Sequence, residues 1–285
     1  MKFDQILSKM GVHSYNSYER VYGGKDSEVY KVEVGQGITY ALRLLPSQRH
    51  DQFIHEKNMI DRAIAHNIPV PQIHKVIVFE KYSGMLMDWG SGQTIFQELQ
   101  AHPENARKLG YEFGKVQVSI NSISIPAFYK NSNSWLSPNF EEQEIVNKIP
   151  QDRLKSNLIH LDYHPLNVLT DGEKITAVID WANATIGDYR FDIARTLSIF
   201  QLAGYKHFEK NLDVILDFEK GWKQGYGQVV GSLDLLESIE LFNAWAGVRM
   251  KRDLAGELSR IDYVKIQDWA ASWMKIYDES AGPSS

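Results

Sequence analysis

The sequence contains no cysteine, which excludes disulfides, thiolate nucleophiles and cysteine-ligated metal centres and sets nothing against a reducing compartment. It also lacks any apolar run long enough to cross a bilayer, and its opening, MKFDQILSKMGVHSY, carries a charge at Asp4 and no signal-peptide core. No membrane segment is expected, and the cytoplasm is the expected compartment. Nor is there a surplus of basic charge: 31 Lys and Arg stand against 36 Asp and Glu, intermixed along the chain, for a net charge of -5. A nucleic-acid backbone is held by a cationic stripe, so nucleic acid is not an expected partner. Internal repeats and low-complexity segments are missing as well, and the closing SAGPSS reads as a frayed tail. What remains, 285 residues of which 43% are hydrophobic and 24% charged, is the composition of a soluble globular chain with room for one large domain or two ordinary ones.

The pattern of apolar residues changes character part-way along. Between Tyr18 and Met87 it alternates like strands, in SEVYKVEV, ITYALRLL, KVIVFE and YSGMLM, with a glycine turn at Gly35 to Gly37. One helix interrupts this sheet, because Phe53, Lys57, Ile60 and Ile64 recur at helical spacing before the stop at Asn67-Ile68-Pro69, and Glu56 falls on the edge of that face. After Trp89 the chain turns helical. Pro103 opens a helix with the stripe Ala106, Leu109, Phe113, Val116 and Ile120, and Ser122 to Asn157 reads as a polar loop with short helix. Phe208, Leu212, Ile215 and Trp222 mark another helix, and Leu236, Ile239, Phe242 and Trp245 one more. The expected fold is α+β, with a small antiparallel β lobe plus one helix over residues 1–88 and a larger, mainly helical lobe over 89–285.

Between Leu158 and Asp180 lies a compact unit, LIHLDYHPLNVLTDGEKITAVID, in which Asp162 and Asn167 stand five residues apart. Asn167 enters a strand, Asp171-Gly172 turns it, and the return strand ends in Asp180. If the turn holds four residues, Asn167 faces Val178, and Asp180 lies roughly 7 Å further along at about 3.3 Å per residue. Phosphoryl transfer needs that set: a carboxylate that orients the incoming hydroxyl and accepts its proton, and hard oxygen ligands for magnesium on the triphosphate. Asp162 is the candidate base, and Asn167 and Asp180 are the candidate metal ligands. His160-Leu161-Asp162 and Ile179-Asp180-Trp181 occupy the two places of the kinase pattern H-R-D-x-x-x-x-N followed by an Asp at a strand end. His160 and His164 are read as holding the loop's backbone, Asp192 as a supporting carboxylate at a helix start, and Trp89 and Trp181 as packing.

The runs HLDYHPLNVL and VIDWANATIGDYRFDIAR resemble the aminoglycoside phosphotransferase and choline kinase-like family, which shares the protein kinase-like two-lobed fold, and the resemblance covers nearly the whole chain. It implies that GGKDSEVYKV, with Gly23 and Gly24, is a phosphate-covering turn, and that MLMDWGSGQTI, with Met87, Asp88 and Trp89, is the hinge against the adenine. It also implies that Arg43 occupies the place of the phosphate-holding strand lysine, with Glu56 as its helix partner and Lys31 as a possible substitute. The arginine is a departure, because a fork replaces a point charge. Gln117 is another, standing where the family commonly has histidine, with no catalytic role attached to it.

The sequence thus points to a kinase using Mg2+ and ATP or GTP, with a small hydroxyl-bearing acceptor such as an aminoglycoside-like antibiotic or an amino alcohol. A peptide acceptor is excluded by the short path from Asp180 to the helix at Asp188, which leaves no platform for a peptide. Glu141, Glu142 and Glu144 form either a solvated face or a lure for a cationic acceptor. The competing expectation is a catalytically silent kinase-like binding or scaffold protein, and the arginine at 43 is its one support.

Overall fold

The computed structural model describes residues 3–22, 27–126, 134–204, 207–208 and 211–281. The chain divides into two compact units, Met1–Gly92 with Thr176–Ala182, and Gln93–Ile175 with Asn183–Ser285. The short segment that carries Asp180 is therefore grouped with the N-terminal residues, whereas the sequence pattern places a single boundary after residue 88.

The first unit is built on five antiparallel strands: Ser17–Val21 (β1), Glu28–Gly35 (β2), Ile38–Pro46 (β3), Ile73–Phe79 (β4) and Tyr82–Asp88 (β5), in the order β1-β2-β3-β5-β4. Alternation sends successive side chains to opposite faces. Tyr30, Val32, Leu42, Leu44 and Leu86 share one face, which packs on Phe3, Ile6 and Leu7 of a helix, Phe3–Lys9 (α1), that the sequence reading did not expect, and on Met10 just beyond it. Phe3, Ile6, Leu7 and Met10 stand at i, i+3, i+4 and i+7, a helical spacing that the sequence reading passed over. Arg43 registers with Val29 and Met85, and Ala41 with Lys31 and Met87, so these side chains belong to the opposite face.

The helix His50–Ala65 (α2) serves that second face. Its buried residues are Phe53, Glu56, Met59, Ile60 and Ala63, while Ile64 is exposed. The buried stripe is thus rotated from the expected one, and Glu56 lies within it, not on its edge.

The second unit holds two small sheets: Gln93–Thr94 (β6) pairs with Val168–Thr170 (β8), and Asn157–Ile159 (β7) pairs with Thr185–Gly187 (β10), both antiparallel. The strand Ile175–Val178 (β9), which from Thr176 on is grouped with the first unit, follows the turn Asp171–Lys174, which therefore has four residues. The rest is helical: Ile95–Ala101 (α3), Ala106–Asn121 (α4), Phe140–Val146 (α5), Tyr189–Ser198 (α6) continued by a wider π-turn to Gly204, Leu212–Val230 (α7), Ile239–Asp253 (α8) and Arg260–Ala281 (α9). Thr94 and Asn139 open α3 and α5 with capping boxes, and Asp188 caps α6.

The helices α4 and α7 pack closely along their length. Gly110 and Gly114 on α4 and Gly221 and Gly225 on α7 recur every four residues, and the two backbones touch there. A Cβ at Gly114 would stand 2.3 Å from the Trp222 carbonyl, and one at Gly225 would stand 2.0 Å from that of Tyr111. Interior glycine costs a helix about 1 kcal/mol relative to alanine, and here that cost is offset by an approach no other residue permits.

Candidate active site

The segment His160 to Asn167 joins β7 to β8, and its shape is set from α6. Asp192, fully buried in the first turn of that helix, accepts the N–H of His160 at 3.1 Å and of Leu161 at 2.5 Å through Oδ1. Leu161 is left-handed, with φ 65°, a conformation that an L side chain keeps only where its surroundings over-determine it. The chain then turns and presents Asp162. Both loop histidines accept backbone protons, His160 Nδ1 from Asp162 and His164 Nδ1 from Leu166, each at 3.3 Å, so they shape the loop as the sequence reading expected.

Asp162 and Asn167 meet. Asn167 donates through Nδ2 to the Asp162 backbone carbonyl and to its Oδ2, both at 3.0 Å. The same Nδ2 lies 3.2 Å from His164 Nε2, so the amide's N–H side is committed within the loop, while its carbonyl oxygen Oδ1 has no hydrogen-bond partner among the described residues. His164 Nε2 lies 3.4 Å from Asp162 Oδ1. Burial pushes the Asp162 carboxyl up, but His164, Arg195 and His160 outweigh it and hold it down to about 2. Asp162 is therefore ionised throughout the neutral range.

The first unit carries the other candidates. Arg43 is buried on β3 and donates through Nη1 to Oε1 of Glu56, which is 0% exposed, and through Nε to Ser27 Oγ at 3.2 Å. Asp180 places Oδ1 4.0 Å from Arg43 Nη2, with 44% of its side chain exposed, and it too is left-handed, with φ 60°. Glu56 Oε2 is buried and has no hydrogen-bond partner among the described residues. Lys31 is committed elsewhere, 3.7 Å from Glu19, 3.4 Å from Glu33 and over the Trp89 ring. In the expected hinge, Met87 is buried, Asp88 is turned to His74 at 2.6 Å and to the Gln72 N–H at 3.3 Å, and Trp89 N–H donates to Thr39 at 3.1 Å. Gly23 and Gly24 lie outside the described residues.

Several residues to which the sequence reading gave no role at the site support the loop. Gln117 and Asn121 on α4 donate to Asp192 Oδ2 at 3.3 and 2.9 Å, and Gln117 also donates to Thr196 Oγ1 at 2.9 Å. From α7, Trp222 Nε1 donates to Gln117 at 2.7 Å and Tyr226 OH to Asn121 at 3.0 Å. The signal was in the spacing: Gln117 and Asn121, like Trp222 and Tyr226, stand four apart, in step with the glycines that let the helices close. Glu141 and Glu142 are not an open lure, because Lys251 and Arg252 face them, and Glu142 is buried. Among the described residues, no three His, Asp or Glu side chains cluster as a self-contained metal site.

A model of the phosphotransferase enzyme family matches residues 17–228, about three quarters of the chain. The chain belongs to that family. Among curated proteins it is similar to the hygromycin-B 4-O-kinase of Escherichia coli, 50% identical over 38 residues, 13% of this chain and 11% of that one. It is also similar to an uncharacterised protein from the ileS 3′ region of Staphylococcus aureus, 26% identical over 126 residues, 44% of this chain and 91% of that one. The chain thus spans about a tenth of the kinase relative it matches in sequence. In structure, it is similar over 99% of both chains to a thermostable mutant of aminoglycoside phosphotransferase APH(4)-Ia in ternary complex with ADP and hygromycin B, with a TM-score of 0.65 at 16% identity. A macrolide 2′-phosphotransferase from Brachybacterium faecium aligns over 94% of this chain and 98% of its own, with a TM-score of 0.53 at 15% identity. At such identities the likeness is one of fold, the kinase-like α+β arrangement expected from the sequence. Among the described residues no helix is long and apolar enough to cross a membrane.

Proposed function

We propose that the protein is a small-molecule kinase that transfers the γ-phosphoryl group of ATP or GTP to a hydroxyl of a small acceptor, with Asp162 as the base. The carrying observation is the Asn167 clamp, which fixes the Asp162 carboxylate and leaves the amide oxygen of Asn167 as one hard ligand; the second is assigned to the exposed carboxylate of Asp180. That donor set fits Mg2+, which prefers oxygen and relies on the substrate's phosphates to complete its shell. Bound there by Asn167 and Asp180, Mg2+ would neutralise charge on the triphosphate.

Asp162 titrates near 2 and does not remove a hydroxyl proton before the transition state. It orients the hydroxyl by accepting its hydrogen bond, and it takes the proton as the new O–P bond forms and the hydroxyl turns acidic. Arg43, fixed by Glu56, supplies a guanidinium for phosphate oxygens, and Met87, Asp88 and Trp89 provide the edge for the base. The acceptor is a hydroxyl-bearing small molecule: an aminoglycoside-like antibiotic, the kind that several similar proteins are named for, or an amino alcohol or related metabolite. A peptide is disfavoured, because the residues after Asp180 go directly into β10 and the cap of α6.

The test is nucleotide-dependent phosphoryl transfer, read as nucleoside diphosphate release across aminoglycosides, macrolides, amino alcohols and sugars. Asp162→Ala should abolish transfer and spare nucleotide binding, and Asp180→Ala should weaken binding of the magnesium nucleotide itself. A scaffold protein would show neither a thermal shift with nucleotide nor any hydrolysis.

A further inference from the structure

We infer that Arg195 is a positioning residue for Asp162, anchored for that purpose by Asp253 at the end of α8. The inference rests on the reading of Asp162 as the carboxylate that orients the acceptor hydroxyl.

Leu161 is held at both ends from one face of α6. Asp192 takes its N–H, and Arg195, three residues later on the same helix face, donates through Nε to its carbonyl at 3.4 Å. That carbonyl belongs to the peptide bond leading into Asp162. A left-handed leucine does not hold this shape unaided. Asp192 alone would fix where the turn begins. Arg195 fixes where it hands over to the catalytic carboxylate.

Arg195 is itself held from α8. Its Nη2 lies 3.1 Å from Asp253 Oδ2, and Asp253 Oδ1 accepts Arg249 Nε at 2.8 Å. The Trp135 ring rests against both guanidiniums, 5.3 Å from that of Arg195 and 3.5 Å from that of Arg249. Arg195 is 5% exposed, and its Nη1 is buried with no hydrogen-bond partner among the described residues. An arginine retained for stability would not leave a donor unsatisfied in the interior, where an apolar side chain of similar volume does as well or better. Its placement is explained by the loop it grips, and its charge also helps to hold the Asp162 carboxyl down.

The test uses the full chain with Arg195→Gln, Arg195→Lys and Asp253→Asn. Amide hydrogen exchange read by mass spectrometry should be about tenfold faster in Arg195→Gln for peptides covering 158–167 and unchanged in α4 and α7. Phosphate release from Mg-ATP, with water as acceptor, should fall about 100-fold in kcat at unchanged KM for ATP, the loss expected when a reacting group is displaced by about 1 Å. Arg195→Lys should recover part of both, and Asp253→Asn should reproduce both in weaker form. Wild-type exchange over 158–167 in both Arg195→Gln and Asp253→Asn overturns the inference. So does a loss of protection spread equally over α4, α6 and α7. The exchange reading does not depend on turnover, so a protein that fails to hydrolyse ATP refutes the kinase reading and leaves this one decided by exchange.

Discussion

At the scale of single residues, the site is a set of charges and amides held in unusual backbone. The pairing of Asp162 with Asn167 was legible because the two stand five residues apart in one short loop. Gln117 was not, because its meaning depends on Trp222, 105 residues away. Asp162→Asn should lower transfer about 100-fold or more, the usual contribution of a positioned base, while the thermal shift with Mg-ATP stays at its wild-type value. The depressed carboxyl also sets a pH dependence. A group ordinarily near 3.8 and held near 2 in the folded protein stabilises it above pH 3.8, and that contribution is lost as pH falls toward 2. Urea melts of wild type and Asp162→Asn should therefore differ by a constant amount from pH 5 to 7 and converge below pH 4. A further residue-scale expectation concerns Arg43. Arg43→Met leaves Glu56 buried and uncompensated, and should cost about 3–5 kcal/mol in a urea melt. Glu56→Gln with Arg43→Met should recover part of it.

At the scale of elements, register and helix approach do the positioning. The strands were readable from alternation, and α2 from its period, but the face it buries was not. A carboxylate is counted as polar by any periodicity, and Glu56 is buried only because Arg43 on β3 meets it. Nor was α1 read, although Phe3, Ile6, Leu7 and Met10 stand at helical spacing; two turns of pattern are few, and the helix is secured by docking on Tyr30, Leu42 and Leu86. The glycines of α4 and α7 carry the clearest expectation. At Gly114 and Gly225 an added methyl meets backbone, which cannot yield as a side chain can. Gly114→Ala and Gly225→Ala should each destabilise by about 3 kcal/mol, the upper range for overpacking, read as a lower urea midpoint. The same variants should loosen the Gln117–Trp222 and Asn121–Tyr226 bonds, and with them Asp192. Gly227→Ala, where the nearest atom is a leucine methyl at 3.9 Å, should be tolerated.

At the scale of the whole molecule, the kinase-like fold was legible from the change of pattern after Trp89 and from the motif HLDYHPLN, and the family match over 17–228 agrees with it. What the sequence hid was the grouping of Thr176–Ala182 with the N-terminal residues, which comes from contacts such as Val178 N–H to the Pro69 carbonyl at 2.8 Å. Asp180 is thus placed beside Arg43 by a tertiary hydrogen bond, in a segment more than a hundred residues downstream. If magnesium is held by Asn167 and Asp180, chelation with EDTA should remove most of the ATP-induced thermal shift, and Asp180→Asn should do so in excess Mg2+. The most direct test of the account is ADP release from Mg-ATP across a panel of hydroxyl-bearing acceptors, with wild type and Asp162→Asn side by side. The account predicts that an acceptor stimulates the wild type and leaves the variant at background although it still binds Mg-ATP. Equal turnover by the two proteins would contradict it.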